Sequence, residues 1–285
     1  MARPLRIEFS GAFYHVTARG NQRSTIFTNY ADRLAWLEIL GQTAERFHWR
    51  VYAYCQMENH FHLLVQTPEA NLARCMRHLN GVYTQRFNRK HNRCGHLLQG
   101  RYHAVIVDEE TYLLQVCRYV LLNPVRAGLI RRASNWRWSS YRSTIGAAMA
   151  PQWLATAELL RRFSTSAVAA IGEFRRFVDA GLAARSPWKD VRQEIYLGDE
   201  RFIESAQIRM LEARREDAEI PQTQRLKAPA TLDDLFTGAG DIPSAVSHAY
   251  RSGQFTMRQI ADHLGVHYST VSRLLARMEV LDCKT

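Results

Sequence analysis

Two histidines one residue apart stand in the run Met57-Glu58-Asn59-His60-Phe61-His62-Leu63-Leu64. In an extended chain, side chains two apart project from one face, so His60 and His62 point the same way, about 6–7 Å apart by strand rise. Two imidazoles so placed suit a single metal ion. The plain alternative is a chance pair on a sheet surface. Phe61 counts against it, because its bulk anchors the strand to a core from the opposite face. A second run reaches from Tyr112 to Pro124. Helical spacing puts Leu113, Val116, Cys117 and Val120 on one face and Tyr112, Gln115, Tyr119 and Asn123 on another. A tyrosine hydroxyl and an amide oxygen at i and i+4 are neighbours. Alone, this is an amphipathic helix with a tyrosine at the core edge. With the two imidazoles it becomes a nucleophile-plus-metal set.

These residues need a scaffold. Residues 12–19 are aromatic and β-branched and end at the turn pair Gly20-Asn21, which predicts a strand. Leu34, Leu37, Leu40 and Ala44 predict a helix over 30–47. Trp49, Val51, Ala53 and Cys55 alternate with polar and tyrosine positions, a second strand, and 60–66 is a third. Leu72, Met76, Leu79 and Tyr83 predict a helix over 70–88, then 102–107 a fourth strand. A helix over 110–122 should close at Asn123-Pro124. The expected fold is α+β, a ferredoxin-like βαββαβ sandwich with an extra tyrosine-bearing helix. Two helices would cover one sheet face and leave the other free for a site. Trp136–Ser143 and Gly146 close this first domain, 1–150. Helical stretches at 153–163, 166–182 and 200–218 make 151–219 a helical extension. The polar, proline-containing 220–230 reads as a linker to a small all-α domain, 231–285.

Charge divides the chain unevenly. The net charge is +11, from 38 Lys and Arg against 27 Asp and Glu. Residues 1–150 hold 20 basic and 9 acidic residues, and 151–285 hold 18 of each. A basic half suggests a polyanionic partner. Five scattered cysteines, with no C-x-x-C pair, argue against a disulfide framework or thiolate zinc site and suit a reducing compartment. His91, Cys94 and His96 have poor zinc spacing. No run of 18 apolar residues exists and the N-terminus has no apolar leader region, so the expected location is cytoplasmic, at the bacterial nucleoid, with no membrane partner.

Four segments in order carry a family likeness: Tyr14 to Asn21 (YHVTARGN), Met57-x-Asn59-His60-x-His62-Leu63-Leu64, Gln99-Gly100-Arg101-Tyr102, and Tyr119-Val120-x-x-Asn123-Pro124-Val125-Arg126-Ala127-Gly128-Leu129. They resemble the single-tyrosine HUH transposases, most closely the REP-associated tyrosine transposases. The likeness covers roughly residues 5–146. It implies a metal-dependent endonuclease and strand transferase for single-stranded hairpin DNA, acting through a covalent 5′-phosphotyrosine. By that resemblance Tyr119 is the nucleophile, and His60, His62 and, less directly, Asn123 hold Mg²⁺ or Mn²⁺. Glu58 stands where relatives often have proline. It could join the metal only if the strand already begins there, and not if a turn persists at 57–59. Two neutral imidazoles and an amide cancel none of an ion's charge, so metal binding should be weak until a DNA phosphate completes the shell.

Arg19, Asn21, Arg23, Arg89, Lys90, Arg93 and Arg101 flank this site in sequence and are candidate DNA contacts, as a positive groove with aromatic platforms would require. Near the C-terminus, Thr256 to Leu275 looks like a helix-turn-helix, with Gly265 at the turn and a small core of Ile260, Val266, Val271 and Leu274. Tyr268, Ser269, Thr270, Ser272 and Arg273 would then face duplex DNA. The oligomeric state, monomer or homodimer, is open. A different reading is a non-catalytic DNA-binding regulator using the helix-turn-helix. An RNA-recognition sheet is a third, but it would carry stacking aromatics where this chain has two histidines.

Overall fold

The alternating runs form strands where the sequence predicts them. In the computed structural model, which describes residues 7–182, 184–216, 231–237, 241–251 and 255–282, β1 spans Ala12–Arg19, β2 Arg50–Gln56, β3 His60–Thr67 and β4 His103–Val107. All pairings among them are antiparallel, in the order β2-β3-β1-β4. Helices α1 (Tyr30–Arg46) and α2 (Leu72–Lys90) follow β1 and β3. Trp36 of α1 packs against Phe61 of β3 at 4.7 Å between ring centroids, so Phe61 anchors the histidine strand from behind.

The opposite sheet face is not left open. Helix α3 (Glu109–Arg126) lies across it and buries Leu113, Val116, Cys117 and Val120. Nor does α3 stop at Asn123-Pro124. Pro124 has no N–H for the Val120 carbonyl. The Asn123 side-chain amide donates instead to the carbonyls of Tyr119 (3.0 Å) and Val120 (3.4 Å), and the helix runs on to Arg126.

The chain divides into two compact units after Asp190, not after residue 150. The reason lies at the edge of β2. Trp138 and Ser140 pair with Gln56 and Tyr54, and farther along Ala155 N–H donates to the Val51 carbonyl at 2.9 Å. Glu158 accepts from the Tyr52 hydroxyl at 2.6 Å. A bare strand edge is thus capped by residues beyond 150. Short helices α4 (Tyr141–Thr144) and α5 (Thr156–Arg161), and α6 (Ala167–Asp179), complete this unit. Phe174 of α6 stacks on Tyr141 at 6.0 Å. The unit Glu8–Asp190 holds 24 basic and 13 acidic residues, so all of the +11 surplus sits in it.

From Val191 onward the second unit begins with a small hairpin, β5 (Val191–Arg192) and β6 (Tyr196–Leu197), in a stretch expected to be helical. Gln193 and Glu194 take positive φ (52° and 63°), the central residues of a tight turn closed by Ile195 N–H donating to the Arg192 carbonyl at 3.2 Å. Neither is a usual residue there, which is why the sequence conceals it. Helices α7 (Glu200–Glu216), α8 (Leu232–Thr237), α9 (Ile242–Arg251), α10 (Met257–Leu264) and α11 (Tyr268–Asp282) follow. The expected linker at 220–230 lies outside the described residues. Thr256 and Gln259 form a capping box at the start of α10, and Gly265 (φ 65°) turns the chain into α11. Ile260 and Val271 are buried as expected, with Val246, Ala249, Ala261 and Leu275, and Leu274 packs against them. Val266 is 38% exposed, so Leu275 rather than Val266 completes this core. Among the described residues no helix is long and apolar enough to cross a membrane.

Candidate active site

Strand register assembles the site. Thr17 of β1 pairs with His62, and Arg19 with His60, so all four share one sheet face. On the other side of β1, Thr17 also pairs with His103 of β4. A turn persists at 57–59, closed by Met57 N–H donating to the His60 carbonyl at 2.9 Å. The strand begins at His60. Glu58 is therefore on the turn, exposed, its carbonyl taken by the N–H groups of Ile26 and Phe27.

Helix α3 brings Tyr119 over this face. The His60 and His62 rings lie 5.0 Å apart, and the Tyr119 ring lies 6.2 Å from His62. Asn123 sits one turn farther along, half-buried, with its amide nitrogen turned back along the helix. The sequence-predicted nucleophile and imidazoles thus converge, although they come from different elements.

Each imidazole is engaged through Nδ1. The Asn59 side-chain nitrogen donates to the Arg23 carbonyl at 2.9 Å, so its oxygen is the atom facing His60 Nδ1 at 2.7 Å. His60 Nδ1 must then be the donor, which leaves Nε2 with a lone pair. His62 Nδ1 lies 3.0 Å from His15 Nε2, and His62 Nε2 is buried without a hydrogen-bond partner. Burial holds all three imidazoles in the neutral form. His15 is pulled down to about 3 by burial and then by His103, and His60 to about 4 by burial and then by Arg19. His62 lies well below its ordinary value, through burial and then the neighbouring His15, His60 and Arg19. Neutral imidazole is the form a metal requires. Among the described residues no cluster of three His, Cys, Asp or Glu side chains could hold a metal. The two Nε2 atoms are the groups on this face with lone pairs that could hold an ion.

Four neighbours had no assigned role in the sequence. His15 and Asn59 lie inside the family-like motifs, and strand alternation from Thr17 was a signal for His15. Trp188, from a short helical turn at Pro187–Asp190, packs 4.4 Å from the His15 ring and 5.0 Å from the Tyr119 ring. The Arg126 guanidinium lies over the Tyr119 ring at 4.8 Å and donates to the Gly181 carbonyl. Nothing local in the sequence tied residues 181–188 to the tyrosine.

The basic candidates separate. Arg19, Asn21 and Arg23 are exposed at and just beyond the end of β1. Gly20 permits that tight turn, since a Cβ there would come within 2.0 Å of the Ser24 carbonyl oxygen. The loop after α2 runs beside it, with Asn21 N–H donating to Leu97 and Gln99 N–H to Arg19. Arg89, Arg93 and Arg101 are exposed around that loop. Lys90 is different: its Nζ lies 2.6 Å from the buried carboxylate of Asp32. His91 also binds Asp32, at 3.0 Å. In the second unit, Tyr268 and Arg273 are exposed on α11, Ser269, Thr270 and Ser272 are half-buried, and Arg273 donates to the Ser269 carbonyl at 3.2 Å.

Residues 8–123 match the model of a family described as transposase IS200-like. The resemblance read from the sequence holds. The matched segment contains β1 to α3 and ends at Asn123, so Arg126 and Trp188 fall outside it. A Haemophilus influenzae protein named as a REP-associated tyrosine transposase is 23% identical over 153 residues, 50% of this chain and 86% of that protein. Among solved structures, a REP-associated tyrosine transposase bound to a REP hairpin is 17% identical, covers 53% of this chain and 89% of its own, and has a TM-score of 0.45. A Deinococcus radiodurans protein named as a transposase is 21% identical, covers 42% of this chain and 95% of its own, and has a TM-score of 0.30.

Proposed function

We propose that this protein is a metal-dependent tyrosine transposase that cleaves and rejoins single-stranded DNA at hairpins. The observation that carries the reading is the convergence of Tyr119 on His60 and His62, with both imidazoles neutral. The IS200-like family match and the named Haemophilus relative support it. The strand order and the two-helix cover are what a ferredoxin-like sandwich would have, and the tyrosine helix is its addition. His60, His62 and Asn123 are the residues that would hold the ion. Mg²⁺ or Mn²⁺ would supply charge to polarise the scissile phosphate, and nitrogen ligands favour Mn²⁺ in intrinsic affinity.

The chain's own residues do the rest. Arg126 and Trp188 both pack against the Tyr119 ring, so the phenol oxygen is presented in few orientations. Its attack on phosphorus forms the tyrosine–phosphate bond and breaks the bond to the 3′ oxygen, which leaves as a hydroxyl. The phosphodiester energy is kept in the 5′-phosphotyrosine, so a second 3′ hydroxyl can reverse the step without ATP. Arg19, Asn21, Arg23 and the basic loop would hold the strand by its phosphates. The α10–Gly265–α11 segment has the cap and αL turn of a helix-turn-helix, and a duplex contact through Tyr268 to Arg273 belongs to the same proposal.

The test is a denaturation-resistant protein–DNA adduct with labelled hairpin DNA and Mn²⁺ or Mg²⁺. Tyr119→Phe should abolish the adduct and leave hairpin binding within about twofold, because only the nucleophilic oxygen is removed. An unchanged adduct would move the nucleophile elsewhere, with Tyr112 next. The regulator reading predicts no adduct from the unaltered protein.

A further inference from the structure

We infer that His15 is a positioning residue: its Nε2 accepts the Nδ1 proton of His62 and so turns the His62 Nε2 lone pair toward the ion. The inference deepens the transposase reading and rests on it for the ion's purpose.

His15 and His62 lie on adjacent strands, diagonal to one another across the Thr17–His62 pair. Their rings are near-parallel, 20° apart with centroids 5.2 Å apart, and His15 Nε2 is 3.0 Å from His62 Nδ1, the side-by-side arrangement of an in-plane hydrogen bond. Both are buried, at 4% and 7% exposed. Two neutral imidazoles share one proton across that contact, so one must donate and one accept. If His15 donated, His62 would carry its own proton on Nε2. That atom is buried without a partner. An N–H there could bind neither metal nor protein and would be left a stranded buried donor. If His62 donates, the same atom is a lone pair, and an ion satisfies it.

His60 shows the same device with a different acceptor. Its Nδ1 proton goes to the Asn59 oxygen, whose orientation is set by the Asn59 nitrogen donating to Arg23. Two Nδ1–H groups tied down leave two Nε2 lone pairs on one sheet face. Metal-bound imidazoles generally have the second nitrogen held in this way, and loss of the holder costs about 10–100-fold in metal affinity. The Trp188 indole covers the His15 ring at 4.4 Å and limits the water that could replace it as acceptor.

The experiment uses the full chain with ¹⁵N-labelled histidine, metal-free, at pH 7.5. Long-range ¹H–¹⁵N spectra should show His62 protonated on Nδ1 and bare on Nε2. His15→Leu removes the acceptor and should weaken Mn²⁺ binding, read by calorimetry without DNA, by about 10-fold or more. His15→Gln offers an amide oxygen to the same proton and should restore most of that affinity. Hairpin binding in EDTA should be unchanged in both variants. A spectrum with His62 protonated on Nε2 in the unaltered protein overturns the inference, whether or not the leucine variant folds. So does unchanged Mn²⁺ affinity in a folded His15→Leu protein. An adduct that survives Tyr119→Phe would sink the transposase reading but leave the His62 spectrum as it is, so the two failures are distinguishable.

Discussion

Lys90 and Arg89 are adjacent basic residues at the end of α2, and the structure gives them opposite predicted behaviour. Lys90 Nζ sits 2.6 Å from Asp32, which is 2% exposed on its side chain. Asp32 also accepts from His91 and from the backbone N–H groups of Thr28 and Asn29 at the start of α1. Burial works against that carboxylate, but the Lys90 and His91 hydrogen bonds outweigh it and hold Asp32 below its usual range. A lysine already spent on a buried carboxylate has little charge to give a phosphate. Lys90→Met keeps the stem and deletes the charge. A hydrogen bond to a charged group is worth about 1.5–3 kcal/mol. The low end applies, since the Lys90 side chain is 41% exposed. A loss of about 1.5 kcal/mol lowers Tm by about 3–6 °C in a domain of this size.

Single-strand binding supplies the contrasting measurement. Each phosphate contact contributes about −0.7 to the slope of log K against log salt. Between 50 and 200 mM salt, one contact is therefore worth about 2.6-fold in affinity. Arg89→Met should flatten the hairpin-binding slope by about 0.7 and leave Tm within about 1 °C. Lys90→Met should do the reverse, lowering Tm with the slope within error of the unaltered protein. Fluorescence anisotropy at four salt concentrations, with a thermal melt of each variant, measures both. If Lys90→Met flattens the slope as much as Arg89→Met and melts normally, the pairing with Asp32 is not what occupies Lys90, and the division of the basic residues drawn here is wrong.

Acid should loosen the metal-free protein. His15, His60 and His62 take up protons more readily unfolded than folded, so stability is held above pH about 6.5 and falls as pH drops toward about 4, and a Tm that stays flat from pH 7 to 4.5 would contradict the buried neutral imidazoles. Trp188→Ala should lower the rate of adduct formation by about tenfold while leaving hairpin Kd within about twofold, because the indole orients Tyr119 and touches no proposed DNA contact; an unchanged single-turnover rate would refute it. Gly181→Val should act in the same direction. Even a Cβ there would come within 2.3 Å of the Arg118 side chain and push Gly181 and the turn at Pro187–Asp190 off α3, whereas Gly172→Ala, mid-helix in α6 with nothing within 4 Å, should raise Tm by about 1–4 °C and leave the rate unchanged. A chain ending at Asp190 should keep its folded core and its full salt slope, since the +11 lies before that point, while one ending at residue 150 should aggregate or melt early from the exposed β2 edge.

What could be read from the sequence followed from periodicity. Strand alternation placed His60 and His62 on one face and Phe61 on the other, and helical spacing put Tyr119 away from Val116 and Val120. Each inference needed only residues a few positions apart. The features that escaped depend on contacts with no local signature. Pro124 marked a helix end by its missing N–H, but a neighbouring amide covered the orphaned carbonyl, so α3 continued and carried Arg126 over the Tyr119 ring. Residue 150 looked like a domain end because the βαββαβ pattern was complete there. A completed pattern is not a completed surface: the Val51 end of β2 was still a bare edge, and Leu154 and Ala155 cover it. The same gap explains Trp188. It lies beyond the segment that matches the family, in a short turn between α6 and β5, yet it touches both the tyrosine and the imidazole behind the candidate metal ligand. The family model over residues 8–123 therefore spans the reacting groups of this site and leaves out part of what holds them still.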